Sequence, residues 1–208
     1  MKKIFFFLFV LTSISNSQTL IGNVTLPTGT YWNSGYGMVY ENSRYWITSS
    51  SSTTGRGIFY AVNSSGSVID TVDINYFTIR ESQGLAFDGI DFWYVERKTA
   101  RCDLFKIDRN GNVIDSITTA QLFGTSKYLG GAGWDGTGLW ISVYSPDADV
   151  ALYKINTTTK SIVDTINFLS FASGQLQPQG ITVKGDTLFF VNDGFQGFDK
   201  IYAVDLNT

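Results

Sequence analysis

Histidine is absent from the 208 residues and cysteine occurs once. Without imidazole, the chain can build neither a Ser-His-Asp nor a Cys-His nucleophile, nor a zinc or haem site that depends on one. Cys102 has no intrachain disulfide partner. With no second thiol to bridge it and no histidine to activate it, it reads as a small buried residue at a strand start. Charged residues make up only 16% of the chain against 43% hydrophobic ones, which excludes a disordered polymer. The formal net charge of −3 leaves no basic surface with which to neutralise phosphates, so nucleic acid is excluded as a partner. No glycine-rich phosphate loop, Walker sequence or CxxC pair is present.

Long apolar runs are also missing. The run Ile4–Ile14 (IFFFLFVLTSI) has eleven residues, too short to cross a hydrocarbon layer of ~30 Å. Behind Lys2 and Lys3 and ahead of the small residues Ser15 and Ser17, it reads as a secretory signal over 1–17. Cleavage after Ser17 would start the mature chain at Gln18 and take its charge from −3 to about −5. The expected address is secreted, periplasmic or cell-surface, with no membrane-embedded part. The sequons at Asn23, Asn63 and Asn156 read as ordinary turn sequence behind a bacterial-looking leader.

What the sequence does contain is a repeat. Four twelve-residue segments align without gaps: Gly37–Thr48 (GMVYENSRYWIT), Gly84–Val95 (GLAFDGIDFWYV), Gly131–Ser142 (GAGWDGTGLWIS) and Gly180–Val191 (GITVKGDTLFFV). Their starts are 47, 47 and 49 residues apart. A second run follows each, at Phe59, Leu104, Leu152 and Ile201, and three copies add a third run, at Val68, Val113 and Ile162. Each copy reads as four short strands, a to d, rich in β-branched and aromatic residues and punctuated by Asp-Gly and Asn-Gly turns. No helical period is sustained outside the leader. A four-stranded repeat of this length predicts an all-β fold, a β-propeller of four-stranded blades occupying 18–208, with repeats starting near 37, 84, 131 and 180.

The last copy stops in its c–d turn, while Leu20–Leu26 (LIGNVTL) lines up with a strand d, Leu20–Val24 on Val68–Val72. Two arrangements follow. In one, this segment completes the fourth blade and closes a four-bladed ring. In the other, the chain is the front part of a larger propeller or cell-surface protein.

Repeat-equivalent residues are expected to be architecture. Trp46, Trp93, Trp140 and Phe189 share one position, and Tyr40, Phe87, Trp134 and Val183 another, suited to filling the wedges between blades. Asp70, Asp115 and Asp164 in strand d, and Asn63, Asp108, Asn156 and Asp205 at c–d turns, suit edges and Asx turns. Function is sought in residues that break the repeat where strand a is entered and strand b is left. The candidates for ligand binding are Tyr36, Glu81, Gln83, Glu96, Arg97, Tyr144, Gln179, Asn192 and Asp193. This polar, mildly acidic rim suits a small molecule, a glycan or a protein. It offers no evident catalytic or metal set, although its oxygens could hold Ca²⁺ and Glu81 and Glu96 could form an acid–base pair. Equally, these are solvated loop charges, some paired with Arg80 or Arg97.

The runs QGLAFDGIDFWYV, GAGWDGTGLWISV with LYKINTTTKSIVDTI, and PQGITVKGDTLFFV with IYAVDL resemble the exported bacterial propellers of the NHL, YVTN and regucalcin-like (SMP-30-like) repeats. The stretch Ser82-Gln83-Gly84-Leu85 is similar to a motif of glutaminyl cyclotransferases, which form five-bladed rings. The resemblance implies the propeller fold but spreads over lyases, lactonases, cyclotransferases and binding scaffolds. The related streptogramin lyases use a histidine this chain lacks. The expectation is an exported scaffold that binds at its channel mouth without catalysis; the alternative is a cyclotransferase- or lactonase-type enzyme working through rim carboxylates.

Overall fold

The computed structural model describes residues 37–50, 57–74, 82–98, 101–143, 150–167, 177–192 and 200–207. Strands follow one another as antiparallel meanders because each short apolar run is separated from the next by a turn-forming pair. Blade 1 is β1 (Met38–Glu41), β2 (Arg44–Ser50), β3 (Gly57–Val62) and β4 (Val68–Ile74). Blade 2 is β5 (Ser82–Phe87), β6 (Phe92–Lys98), β7 (Arg101–Ile107) and β8 (Val113–Thr118). Blade 3 is β9 (Leu129–Trp134), β10 (Leu139–Val143), β11 (Ala151–Asn156) and β12 (Ser161–Ile166). Blade 4 has three strands among the described residues: β13 (Pro178–Lys184), β14 (Thr187–Asn192) and β15 (Lys200–Asp205). Together they form a four-bladed β-propeller, as the repeat predicted, with β1, β5, β9 and β13 innermost. The segment Leu20–Leu26, expected to supply a strand d, lies outside the described residues.

One element departs from the all-strand reading. Thr119–Phe123 forms a short helix, α1, between blades 2 and 3. Its start is a capping box: the Thr118 hydroxyl accepts from Gln121 N while the Gln121 side chain accepts from Thr118 N. Five residues give too few apolar positions for a helical period, so only the T-x-x-Q signature announces it.

The wedges between blades hold the core. Between blades 1 and 2 lie Trp46, Phe59, Val72, Leu85, Phe92, Tyr94 and Phe105, with Trp46 edge-on to Phe92 at a 5.0 Å centroid separation. Trp93, Leu104, Ile117, Ala132 and Ile141 fill the second wedge. Trp140, Leu152, Ile181, Leu188 and Phe190 fill the third. The repeat-equivalent tryptophans thus meet the next blade, and burying each contributes roughly 1.5–3 kcal/mol.

Each of these indoles is also tied to the a–b turn of its own blade. Trp93 Nε1 donates to Asp88 at 3.3 Å, Trp140 Nε1 to Asp135 at 2.8 Å and Trp46 Nε1 to Glu41 at 3.0 Å. A cation from strand c, or from the next blade, completes the set: Lys106 on Asp88 at 2.8 Å, Lys154 on Asp135 at 2.7 Å, Arg109 on Glu41 at 3.4 Å. Blade 4 cannot repeat this, because Lys184 replaces the acid and Phe189 has no N–H. The c–d turn residues behave as expected of Asx turns, with Asn63, Asp108 and Asn156 accepting backbone N–H groups at 2.8–3.1 Å.

Glycine at the head of each inner strand lets the blades approach the axis. A Cβ added at Gly37 would meet the Gly84 backbone at 2.7 Å, and one at Gly84 the Ala132 nitrogen at 2.8 Å. At Gly131 it would lie 1.9 Å from the Gln179 carbonyl oxygen, whereas at Gly180 it meets no described residue within 4 Å. The inner strands are therefore in backbone contact from blade 1 through blade 4. Among the described residues no fourth wedge is packed at the seam between blade 4 and blade 1, and Met38, Gln83, Leu85, Ala132, Ile181 and Ile201, drawn from all four blades, line a cavity of about 440 Å³ that the inner strands share.

Candidate functional site

The two ends of the propeller differ in how they treat polar groups. The ten polar residues that are buried as a whole among the described ones lie where strands a begin, b end, c begin and d end. They are Thr48, Ser49, Ser82, Gln83, Glu96, Asp103, Thr119, Lys127, Ser142 and Asn192. At the opposite end, charges are committed to the hairpin ion pairs described above. Burying a polar group costs several kcal/mol unless it is satisfied, and this gathering makes that end the candidate site.

Blade 2 carries the centre of this end. Glu96 on β6 is fully buried and stands directly opposite Asp103 on β7 in the ladder, which itself is opposite Thr118 on β8. Side chains of directly opposed residues share a sheet face. Glu96 lies on the face of Phe92 and Tyr94, toward blade 1. There Ser82 Oγ donates to Thr48 Oγ1 at 2.5 Å, linking the two blades, and within blade 1 Gly37 N donates to the same Thr48 oxygen at 3.0 Å. Burial, then the Glu96 charge, hold the Tyr94 phenol well above its ordinary range, only partly offset by the Ser82 hydroxyl near it; among the described residues its oxygen has no hydrogen-bond partner. Tyr94 is thus a neutral phenol within the field of a carboxylate. Nearby, Lys127 N donates to Thr119 Oγ1 at 3.1 Å.

The candidates read from sequence fall as follows. Gln83, Glu96 and Asn192 are buried at this end, and Gln179 is half-buried. All four are strand residues, where the sequence suggested loops, because the ladders run on to Ser82↔Glu96 and Pro178↔Asn192. The register shifts between Ser82 and Gly84 and again between Pro178 and Ile181, so Gln83 and Gln179 sit in bulges, which re-aim side chains. Asn192 Oδ1 accepts from Gln177 N at 2.8 Å. Arg97 lies in β6 opposite Cys102, both described by their backbone alone. Tyr36, Glu81, Tyr144 and Asp193 lie outside the described residues.

Sequence reasoning missed Asp103, Thr48, Ser142 and Lys127, and named Ser82 only within the stretch Ser82-Gln83-Gly84-Leu85. Asp103 had a signal, since the other copies carry Ile58, Ala151 and Lys200 at that place in strand c. Among the described residues no group of three or more acidic, cysteine or histidine side chains is placed to hold a metal ion. No helix there is long and apolar enough to cross a membrane.

Comparison with known proteins places this geometry. The family model described as "Family of unknown function (DUF6454)" matches residues 96–204. The chain belongs to that family. The match spans blade 2 from Glu96 through blade 4, so the Glu96–Asp103 pair of this DUF6454 member lies inside it. Among curated proteins nothing matches. Solved structures similar to this DUF6454 chain include a luciferin-regenerating enzyme (18% identity, TM-score 0.55, covering 83% of this chain and 60% of that one). TolB from Acinetobacter baumannii is similar at 14% identity and TM-score 0.54, covering 80% of this chain and 39% of its own. Regucalcin, a calcium-binding protein from Agrobacterium tumefaciens, is similar at 17% identity and TM-score 0.50, covering 81% and 55%. The DUF6454 chain therefore spans between about two-fifths and three-fifths of these neighbours, and the likeness is one of fold.

Proposed function

We propose that this protein is an exported propeller that binds a small polar ligand at the end bearing Glu96, with Gln83, Ser82 and Asp103 as further contacts. The observation that carries this reading is the gathering at that end of the ten polar residues that are buried as a whole among the described ones, whereas the buried carboxylates of the other end, Asp88 and Asp135, are each held by a lysine and an indole of their own blade. Hydroxyls, amides and carboxylates there accept and donate hydrogen bonds, which suits a ligand rich in hydroxyl or amine donors, such as a glycan fragment or an aminated small molecule. Export rests on the leader-like 1–17 segment.

A thermal-shift screen of neutral sugars, amines and Ca²⁺ tests it, using the wild type, Glu96→Gln and Asp88→Asn. A ligand that raises the melting midpoint of the wild type and of Asp88→Asn, but not of Glu96→Gln, is the expected result. Stabilisation that ignores Glu96→Gln removes Glu96 from the site.

A second reading is favoured by the opposed Glu96 and Asp103. Two carboxyl-bearing residues opposed in register on one sheet face are the kind of pair that can divide acid and base roles in opening a ring or cyclising a substrate. Turnover of a lactone or an N-terminal glutaminyl peptide that Glu96→Gln and Asp103→Asn each abolish would favour it over simple binding.

A further inference from the structure

We propose that the ligand held at the Glu96 end is an amphiphile, its hydrocarbon body lodged in the axial cavity behind a head group that carries hydrogen-bond donors; this rests on that end being the ligand site. The cavity is one of two chambers along the axis. The first, of about 440 Å³, is lined by the glycines that head the four repeats, Gly37, Gly84, Gly131 and Gly180. The second, of about 340 Å³, reaches Tyr40, Phe87, Trp134 and Val183, three residues further along each inner strand. Met38, Leu85, Ala132 and Ile181 line both. Each follows its repeat's glycine, so the four form an apolar collar with one residue from each blade. Inner strands begin at the end where the buried polar residues gather, so the larger chamber is the one at that end.

Volume and walls decide what fits. An apolar cavity of ~150 Å³ takes up benzene, so the chamber of about 440 Å³ has room on the order of three such rings. It also falls within the range of roughly 300–1,000 Å³ typical of small-molecule sites. Among the described residues its only polar side chains are Gln83 and Thr182, while Leu85, Ala132, Ile181, Phe189 and Phe190 offer hydrocarbon. Gln83 is 7% exposed and sits in the bulge next to Ser82, whose partner across the ladder is Glu96. An amide able both to donate and to accept thus stands where the polar end gives way to the apolar chamber. A sugar alone would make no use of the chamber, and a bare hydrocarbon none of the polar groups beside it. Met38 is 61% exposed, and its unbranched thioether lets the collar adapt to a chain passing through it.

Methyl, hexyl and octyl glucoside, kept below micelle-forming concentrations and titrated calorimetrically into the full-length protein, present one head group on three tails. Binding is expected to tighten roughly fourfold per buried methylene until the chamber is full. Met38→Trp, which puts an indole into the collar, is expected to flatten the series. Glu96→Gln is expected to weaken all three members equally and to keep the slope. Should Met38→Trp fail to fold, Val191→Trp, on the same chamber wall and 41% exposed, takes its place. 1-Hexanol and 1-octanol separate the chamber from the reading on which it rests. If they bind with the same slope while methyl glucoside does not bind and Glu96→Gln changes nothing, the chamber is upheld and the polar end is overturned as the head-group site. No dependence on tail length in the wild type, in glucosides or alcohols, or a dependence that the indole leaves intact, overturns the proposal.

Discussion

Asp135 collects five donors: Thr137 N and Thr137 Oγ1 each at 2.8 Å, Gly138 N at 2.9 Å, Trp140 Nε1 at 2.8 Å and Lys154 Nζ at 2.7 Å. Burial alone would raise its pKa, but the Lys154 ammonium, the Thr137 amide and hydroxyl and the indole outweigh it and hold the carboxyl at about 2. Because the folded pKa lies below the ordinary 3.8, the folded state prefers the charged form. That contribution is complete above about pH 4 and fades as the pH falls toward 2. Asp135→Asn is expected to lower stability by about 1–2 kcal/mol at pH 7, with the difference from wild type shrinking between about pH 4 and 2. Urea unfolding at both ends of that window measures it, and a gap that stays constant would mean that shape rather than charge matters. The turn itself was readable, since Asp135-Gly136 is a hairpin pair and Trp140 falls at the same step in three copies. The lysine was not, because joining Lys154 to Asp135 needs the register between strands b and c, which no single strand's pattern contains.

At the scale of elements, the four aligned glycines Gly37, Gly84, Gly131 and Gly180 look equivalent in sequence and are not equivalent in space. Gly131→Ala would drive a methyl group into the Gln179 carbonyl of the next blade, where backbone cannot step aside. It is expected to cost more than about 2 kcal/mol, as overpacking does. Gly180→Ala meets no described neighbour and is expected to stay within about 0.5 kcal/mol of wild type, the reduced freedom of its unfolded chain acting in its favour. Chemical denaturation of the two variants side by side reads the difference, and equal losses would mean that Gly180 is as closely approached as Gly131. Strand identity was legible because alternation and turn dipeptides repeat at fixed spacing. Strand length was less so. The ladders outlast the repeat by one to three residues at the polar end, where bulges at Gln83 and Gln179 absorb the mismatch, and this moved the candidate residues from loops into strands.

Across the whole molecule, cohesion is set by how many faces of each blade are packed. Blades 2 and 3 are packed on both faces, with Trp46 and Trp93 on either side of one and Trp93 and Trp140 on either side of the other. Blade 1 leaves Met38 and Tyr40 61% exposed on the face behind it, and blade 4 leaves Val191 and Ile201 exposed on the face ahead. A stack of sheets held by neighbour contacts loosens first where a neighbour contact is weakest. Native-state hydrogen exchange is therefore expected to find the slowest amides in β6, β7, β10 and β11. Those of β14 and β2, the corresponding strands of the seam blades, should open at lower free energy. Uniform protection of all four blades would mean that the seam is packed as tightly as the three tryptophan wedges. The buried polar end is shared by both kinds of blade: Glu96 and Ser82 stand on a doubly packed sheet, Asn192 and Gln179 on a seam blade. A ligand spanning that end would tie the rigid half to the loose half, and its binding should slow exchange most in β13 and β14, where there is most motion to remove.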